Sequence, residues 1–408
     1  MKKLGALVAA TAVAGLIAGA IAPAGAQGTR APLKGTGRNM KIVANVPYQG
    51  GTDMEFATIK GHDYAFTGAA PGVGGAQAGG FRVINIDNPA QPKLVATLAC
   101  SLYQADIQLS FDNKTAFMAA DSAGGPDSCL AVGKEGFLAI DIRNPLKPKA
   151  IGFGETGSSH NVTTHPTKPY LYNSSSALVP GGSSKIQIWS IKDPSKPEMI
   201  KTFSSLPHAP HDISFNSDGT KIVTAAISHF DMFDTSDVEN PKLMWTGQCP
   251  GCSITHDAKF TPDDKGLIIG DEGGGGGTYP CPGGALYFYQ LAGGVAPVLT
   301  GAYEPKHIVF PRDGQPAPGS CTSHVFDISD DGKQVAISWY NAGTRLLNVE
   351  AMMGAAVGDT ATPAGVFEMG YFQPDGGSTW SSKFFKGEKY IFSNDINRGF
   401  DVFQYTGK

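Results

Sequence analysis

Basic tracts are missing from this sequence. Lys and Arg number 32 against 36 Asp and Glu in 408 residues, and charged residues make up only 17%. That argues against nucleic acid as the main partner, because proteins that bind it carry a basic patch or stripe. No G-x-S-x-G elbow, P-loop or G-x-G-x-x-G fingerprint occurs in a strand–turn–helix setting. No D-x-[DN]-x-[DN]-G loop is present, so Asp218, Asp263-Asp264 and Asp330-Asp331 read as turn residues rather than calcium ligands. Helix formers are also short: Gly 53 and Pro 28 are the residues helix interiors tolerate least, which excludes an all-helical fold. What is there is a core: 41% hydrophobic and 10% aromatic residues rule out disorder and leave a turn-rich β protein.

One long apolar run stands at the N-terminus. Lys2 and Lys3 precede the stretch Leu4 to Ala22, and Ala24-Gly25-Ala26 follows as a small-residue cleavage signal. Residues 1–26 are expected to be a signal peptide, 27–40 a linker and 41–408 the folded domain. The mature chain is then secreted, periplasmic or cell-surface associated, with no membrane span.

The six cysteines all follow that segment. An even count in an exported chain favours disulfides, although six cysteines allow 15 connectivities. The preferred pairing is Cys100–Cys129, Cys249–Cys252 and Cys281–Cys321. The rival reading takes Cys249-Pro250-Gly251-Cys252 as a redox or zinc motif.

A repeat decides the architecture. "GFRVINIDNPAQPKLVATL" starts at Gly80, "GFLAIDIRNPLKPKAIGF" at Gly136, "KIQIWSIKDPSKPEMIKTF" at Lys185 and "HFDMFDTSDVENPKLMWTG" at His229. Weaker copies start at Ala285, Gly343 and Gly399. Their second positions, Phe81, Phe137, Ile186, Phe230, Leu286, Thr344 and Phe400, recur about every 53 residues, as in a propeller or solenoid. Each copy reads strand, Asn/Asp-Pro turn, strand, because Pro cannot donate to a ladder. Segments such as "HDISFNSDGTKIVTAAIS" between copies supply two more strands. The unit is a four-stranded antiparallel blade, and seven of them make an all-β, seven-bladed propeller. "KIVANV" (Lys41 to Val46) matches the fourth strand "KLVATL" (Lys93 to Leu98), whereas the chain ends after a third strand, Phe400 to Tyr405. The N-terminal strand is therefore expected to complete the last blade and close the ring.

These repeats resemble the LVIVD repeat family of exported prokaryotic β-propellers, over about residues 41–408. The resemblance is specific at the Phe81, Phe137 and Ile186 copies, where strand and N/D-P-x-x-P coincide. It implies a propeller fold and an exported location, and no reaction.

Aligning the blades by their first strands brings four histidines to one position: His160, His211, His256 and His324, in "SHNVTTH", "PHDISFN", "THDAKFT" and "SHVFDIS". Thr52, Ala105 and Trp380 hold that position in the other blades, and the next position reads Asp53, Asp106, Asn161, Asp212, Asp257, Val325 and Ser381. First strands are innermost in a propeller, so these histidines are expected to converge at the channel mouth. Neutral imidazoles there suit copper, iron or zinc, with Asp212 and Asp257 as acceptors that orient the rings. The competing reading is a structural hydrogen-bond network copied from blade to blade. Asp271-Glu272 ends a buried-looking strand and offers a rim carboxylate for general-base work. The following Gly273 to Gly277 run reads as a flexible connection. Trp339-Tyr340, Tyr279 and Trp380 are candidates for an exposed aromatic rim or for packing between blades. Two functions remain: a binding or scaffold propeller for a protein, glycan or small molecule, with a metal at the channel mouth, or a metal-dependent oxidoreductase of copper or iron at the four-His site.

Overall fold

A computed structural model describes residues 33–407, apart from 77–78, 101, 124–128, 130–133, 177, 179–184, 205, 274–280, 282, 306–307, 309–320 and 354–365. The expected signal peptide lies outside the described residues.

Alternating strands and Asn/Asp-Pro turns build seven antiparallel sheets arranged as a seven-bladed β-propeller. Blade 1 runs from Gly51–Ile59 to Lys93–Ala99, blade 2 from Leu102–Leu109 to Lys149–Glu155, and blade 3 from Asn161–Thr164 to Glu198–Phe203. Blade 4 runs from Asp212–Phe215 to Lys242–Gly247 and blade 5 from Thr255–Phe260 to Ala296–Tyr303. Blade 6 runs from Phe326–Ile328 to Phe367–Pro374, and blade 7 starts at Thr379–Phe384. The N-terminal strand Met40–Pro47 pairs antiparallel with the last strand, Gly399–Tyr405, from Met40 opposite Tyr405 to Pro47 opposite Gly399. Ring closure is as the sequence implies.

The Asn/Asp-Pro motif has a local cause. Asn88, Asn144 and Asp193 each accept two backbone N–H groups, one on the side chain and one on the carbonyl, which fixes the turn whose next residue is Pro. Each turn delivers the outer strand to the blade's edge.

The apolar core is divided into seven clusters, one between each pair of adjacent blades. The seven repeat positions, from Phe81 to Phe400, are all fully buried. In blade 2 the Phe137 ring lies over Gly154, where an added Cβ would come within 2.3 Å of it. Each blade buries its faces only against neighbours, so an open ring would expose two of them.

Part of the expected linker is structured. Gly35–Arg38 adds a fifth strand to blade 6, paired with Phe367–Pro374. Asn39 in the left-handed region (φ 55°) lets the chain step from blade 6 to blade 7, and its amide donates to the Met369 carbonyl at 2.8 Å. All four residues of this strand are exposed, so no hydrophobic pattern announces it.

The three cysteine pairs, Cys100–Cys129, Cys249–Cys252 and Cys281–Cys321, are disulfides. Zinc thiolates at the C-x-x-C segment give way to a bridge between Cys249 and Cys252. No helix among the described residues is long and apolar enough to cross a membrane.

Candidate metal centre on the propeller axis

The site begins with a backbone irregularity that recurs around the ring. Pairing between the first two strands skips His256 in blade 5, Trp380 in blade 7, and the Thr52-Asp53 and Ala105-Asp106 pairs in blades 1 and 2. In blades 3 and 4, His160 and His211 donate to the carbonyls of Ser174 and Ala225, residues that already face Asn161 and Asp212. His324 does the same with Ser338. Two residues thus oppose one, the definition of a β-bulge, and bulges re-aim side chains. His256 and Asp257, which would alternate on a regular strand, both line the channel.

The four histidines form an arc. Ring centroids are 4.3 Å apart from His160 to His211, 4.3 Å from His211 to His256 and 4.1 Å from His256 to His324. All four are buried, at 8% exposure or less, so they lie beneath the channel mouth rather than at it. Glu272 and Tyr340, from the ends of the second strands of blades 5 and 6, complete the cluster. Glu272 Oε2 is 3.8 Å from His256 Nε2, and its Oε1 is 3.8 Å from His324 Nε2. Ligand atoms of His211, His256 and Glu272 all lie within 4.8 Å of one another.

Hydrogen bonds decide which lone pairs are free. His324 Nδ1 donates to the Trp380 carbonyl at 2.6 Å. Burial pushes the His324 imidazolium down to about 3, so the ring is neutral and its Nε2 presents a bare lone pair. Burial, then the neighbouring rings, also hold His211 and His256 well below the usual histidine range. Nδ1 of His256 is buried and makes no hydrogen bond. His160 differs: Asp121 holds its Nδ1 at 2.7 Å, and the Gln104 amide lies 3.3 Å from its Nε2. Tyr340 donates to Glu272 Oε1 at 2.7 Å. Burial nevertheless pushes the Glu272 carboxyl up to about 7. Gln104 (φ 82°) and Tyr340 (φ 40°) both occupy the left-handed region, a strained conformation that often marks a functional site.

The expected acceptors are corrected. Asp212 accepts from the Ile213 N–H at 2.7 Å, and Asp257 pairs with Lys259 at 3.3 Å; neither touches an imidazole. The bulge turns them into the channel instead, and the orienting acceptors are Asp121 and the Trp380 carbonyl. Of the two readings of the aromatic residues, packing is the one that holds for Trp339, Tyr340 and Trp380. Trp339 and Tyr340 are buried and Trp380 packs on His324 with ring centroids at 4.5 Å, while Tyr279 lies outside the described residues. Asp218, Asp263 and Asp331 cap their own turns, as expected.

Below the arc lies a channel cavity of about 410 Å³, bordered by His256, His324, Gln104 and Trp380. Sequence patterning placed the histidines together but missed Glu272 and Tyr340 as partners at the rings, and missed Asp121 and Gln104. For Glu272 and Asp121 the one signal is that polar residues end otherwise apolar second strands, as in "GLIIGDE"; Gln104, on a first strand, carries none.

No protein-family model and no curated protein matches the chain. Its fold is similar to hydrazine synthase of Kuenenia stuttgartiensis, at TM-score 0.58 and 12% identity over 85% of this chain and 93% of that one. It is also similar to the Cps50 (Swd1) β-propeller domain of Myceliophteria thermophila, at TM-score 0.60 and 9% identity over 90% and 99%. The C-terminal WD40 domain of Sif2 gives TM-score 0.53 and 10% identity over 87% and 81%. Likenesses at these identities show the fold alone.

Proposed function

We propose that the chain is an exported binding propeller that holds a transition-metal ion on its axis. His211, His256, His324 and Glu272 are the donors, with His160 fixed beside them. One observation carries the reading: ligand atoms of His211, His256 and Glu272 lie within 4.8 Å of one another in a buried site, and His324 Nε2 is 3.8 Å from the same carboxyl group. A cation among these lone pairs would replace the water they have lost and keep the carboxyl deprotonated. Nitrogen donors with one carboxylate suit copper, iron or zinc. Such an ion supplies Lewis acidity or, for copper and iron, electron transfer.

Export is supported by three disulfides and by the apolar N-terminal run before an Ala-x-Ala site. Membership of the LVIVD repeat family belongs to the same proposal and rests on the repeat residues alone. A metal-dependent oxidoreductase is the second reading. It is favoured by the cavity that reaches His256 and His324, which gives a small substrate access to the ion.

Elemental analysis of protein purified from its native compartment tests the proposal. About one transition-metal ion per chain is expected, and a His211→Ala, His256→Ala variant that still folds is expected to hold none. Native protein that carries no such metal, and takes up neither copper, iron nor zinc after purification, would leave the histidines a structural network.

A further inference from the structure

The channel below the histidine arc is an acidic chamber with more carboxyl groups than cations. Six carboxyl groups line it, of Asp53, Glu55, Asp106, Asp212, Asp257 and Asp327, against two cations, Lys259 and Lys383. Lys383 is committed to Asp53 at 3.1 Å and Glu55 at 2.7 Å, and Lys259 to Asp257 at 3.3 Å. Asp327 accepts from the Phe384 N–H at 2.9 Å. Asp106 and Asp212 form no ion pair among the described residues; Asp106 accepts from the Val162 N–H at 3.0 Å, and Asp212 from the Ile213 N–H at 2.7 Å and from the Asn161 side chain. A further acceptor is left over. Asp257 Oδ1, on a residue that is 1% exposed and lines the cavity, has no hydrogen bond. Burial, then repulsion from Asp53 and Asp212, holds the Asp106 carboxyl well above the usual carboxylate range.

Such a chamber either keeps protons on some of its carboxyl groups or takes in a cation that lets them ionise. The walls say which kind of cation. Phe56, Phe215, Phe260, Phe384 and Trp380 share the lining with the carboxylates. A bare metal ion gains nothing from rings that keep water away, whereas an alkylated ammonium or guanidinium gains from both surfaces. A cavity of about 410 Å³ also exceeds what an inorganic ion needs and lies in the range of small-molecule sites.

We propose that the channel binds a small organic cation, with a primary ammonium or guanidinium group at Asp106 and Asp212 and an apolar remainder against the aromatic wall toward Trp380 and His324. The proposal goes beyond the metal reading and does not depend on it, because neither Asp106 nor Asp212 touches an imidazole.

Calorimetric titration of the full-length protein tests it, using butylammonium and butylguanidinium, with n-butanol as the neutral isostere and calcium chloride as the inorganic control. Saturable binding of one organic cation is expected, at least about tenfold tighter than n-butanol, and lost about tenfold or more in Asp106→Asn and Asp212→Asn. Each Asn keeps an oxygen for the backbone N–H while removing a repelled charge, so both variants are expected to melt at or above the parent temperature. Binding should persist in the chelator-treated protein and in the His211→Ala, His256→Ala variant, which separates this site from the metal centre. Equal binding of n-butanol, full retention of affinity in both Asn variants, or competition by calcium alone would overturn the proposal.

Discussion

Tyr340 donates its hydroxyl proton to Glu272 across 2.7 Å, linking blade 6 to blade 5 directly beside the imidazoles. The bond leaves Glu272 Oε2 free to face His256, so the phenol orients the carboxylate. Tyr340→Phe is expected to weaken metal retention about tenfold, the usual effect of removing an orienting partner behind a ligand. Chelator competition on metal-loaded parent and variant measures it. Glu272→Gln, which removes the charge itself, should lower retention further.

Closure of the ring predicts a step in truncation tolerance. Removing residues up to Arg38 takes away an exposed edge strand and its ion pair with Glu368, and should change stability by less than about 1 kcal/mol. Extending the deletion through Pro47 strips the partner of Gly399–Tyr405 and uncovers Phe400 and Val402. That form is expected to lose amide protection throughout blade 7 in hydrogen exchange. Equal protection in the two truncations would contradict the role given to Met40–Pro47.

The disulfides should contribute unequally. Cys281–Cys321 closes a sequence separation of 40 and Cys249–Cys252 one of 3. By loop entropy the long bridge contributes about 4 kcal/mol and the short one about 2 kcal/mol. Denaturant midpoints of the two double Cys→Ala variants are expected to fall in that order.

Acidification should act on the arc with a defined sign. The His324 ring binds its second proton near pH 3 in the folded chain and near 6.5 when unfolded. The unfolded state therefore holds more protons between those values. The contribution of the neutral ring is complete above pH 6.5 and is lost as the pH falls toward 3. Buried carboxylates such as Glu272 act in the opposite direction, so the test is a difference. The melting-temperature gap between metal-free parent and His324→Gln should become less favourable to the parent from pH 7.5 to pH 5.

The fold was legible because each blade repeats the same physical solution. An apolar third strand, an Asn/Asp-Pro turn and a short fourth strand recur, and Phe81, Phe137 and Phe230 fill equivalent places. The histidines were legible for the same reason, since equivalent positions in a ring converge. What surrounds them was not. Asp257 follows His256, and strict alternation would send the two to opposite faces; the bulge that turns both inward is a property of pairing, not of the residues themselves. Glu272, Asp121 and Tyr340 come from second-strand ends, and their reach to the axis depends on that same register. The Gly35–Arg38 strand escaped because four exposed residues carry no pattern to read.

The pairing of Met40 with Tyr405 also has a consequence in time. During synthesis Met40–Pro47 is made before every strand of blades 1 to 5, and its partner Gly399–Tyr405 is the last of the propeller strands described to leave the ribosome. Blades 1 to 5 can form as their own segments arrive, since their pairings are local hairpins. Blade 7 cannot, because its outer strand must be retained unpaired until Gly399–Tyr405 appears, and joining segments so far apart carries a large loop-closure entropy. Assembly of the ring is thus expected to be gated by its final step, and a nascent chain arrested before Gly399 should remain open and accessible to protease at Met40–Pro47.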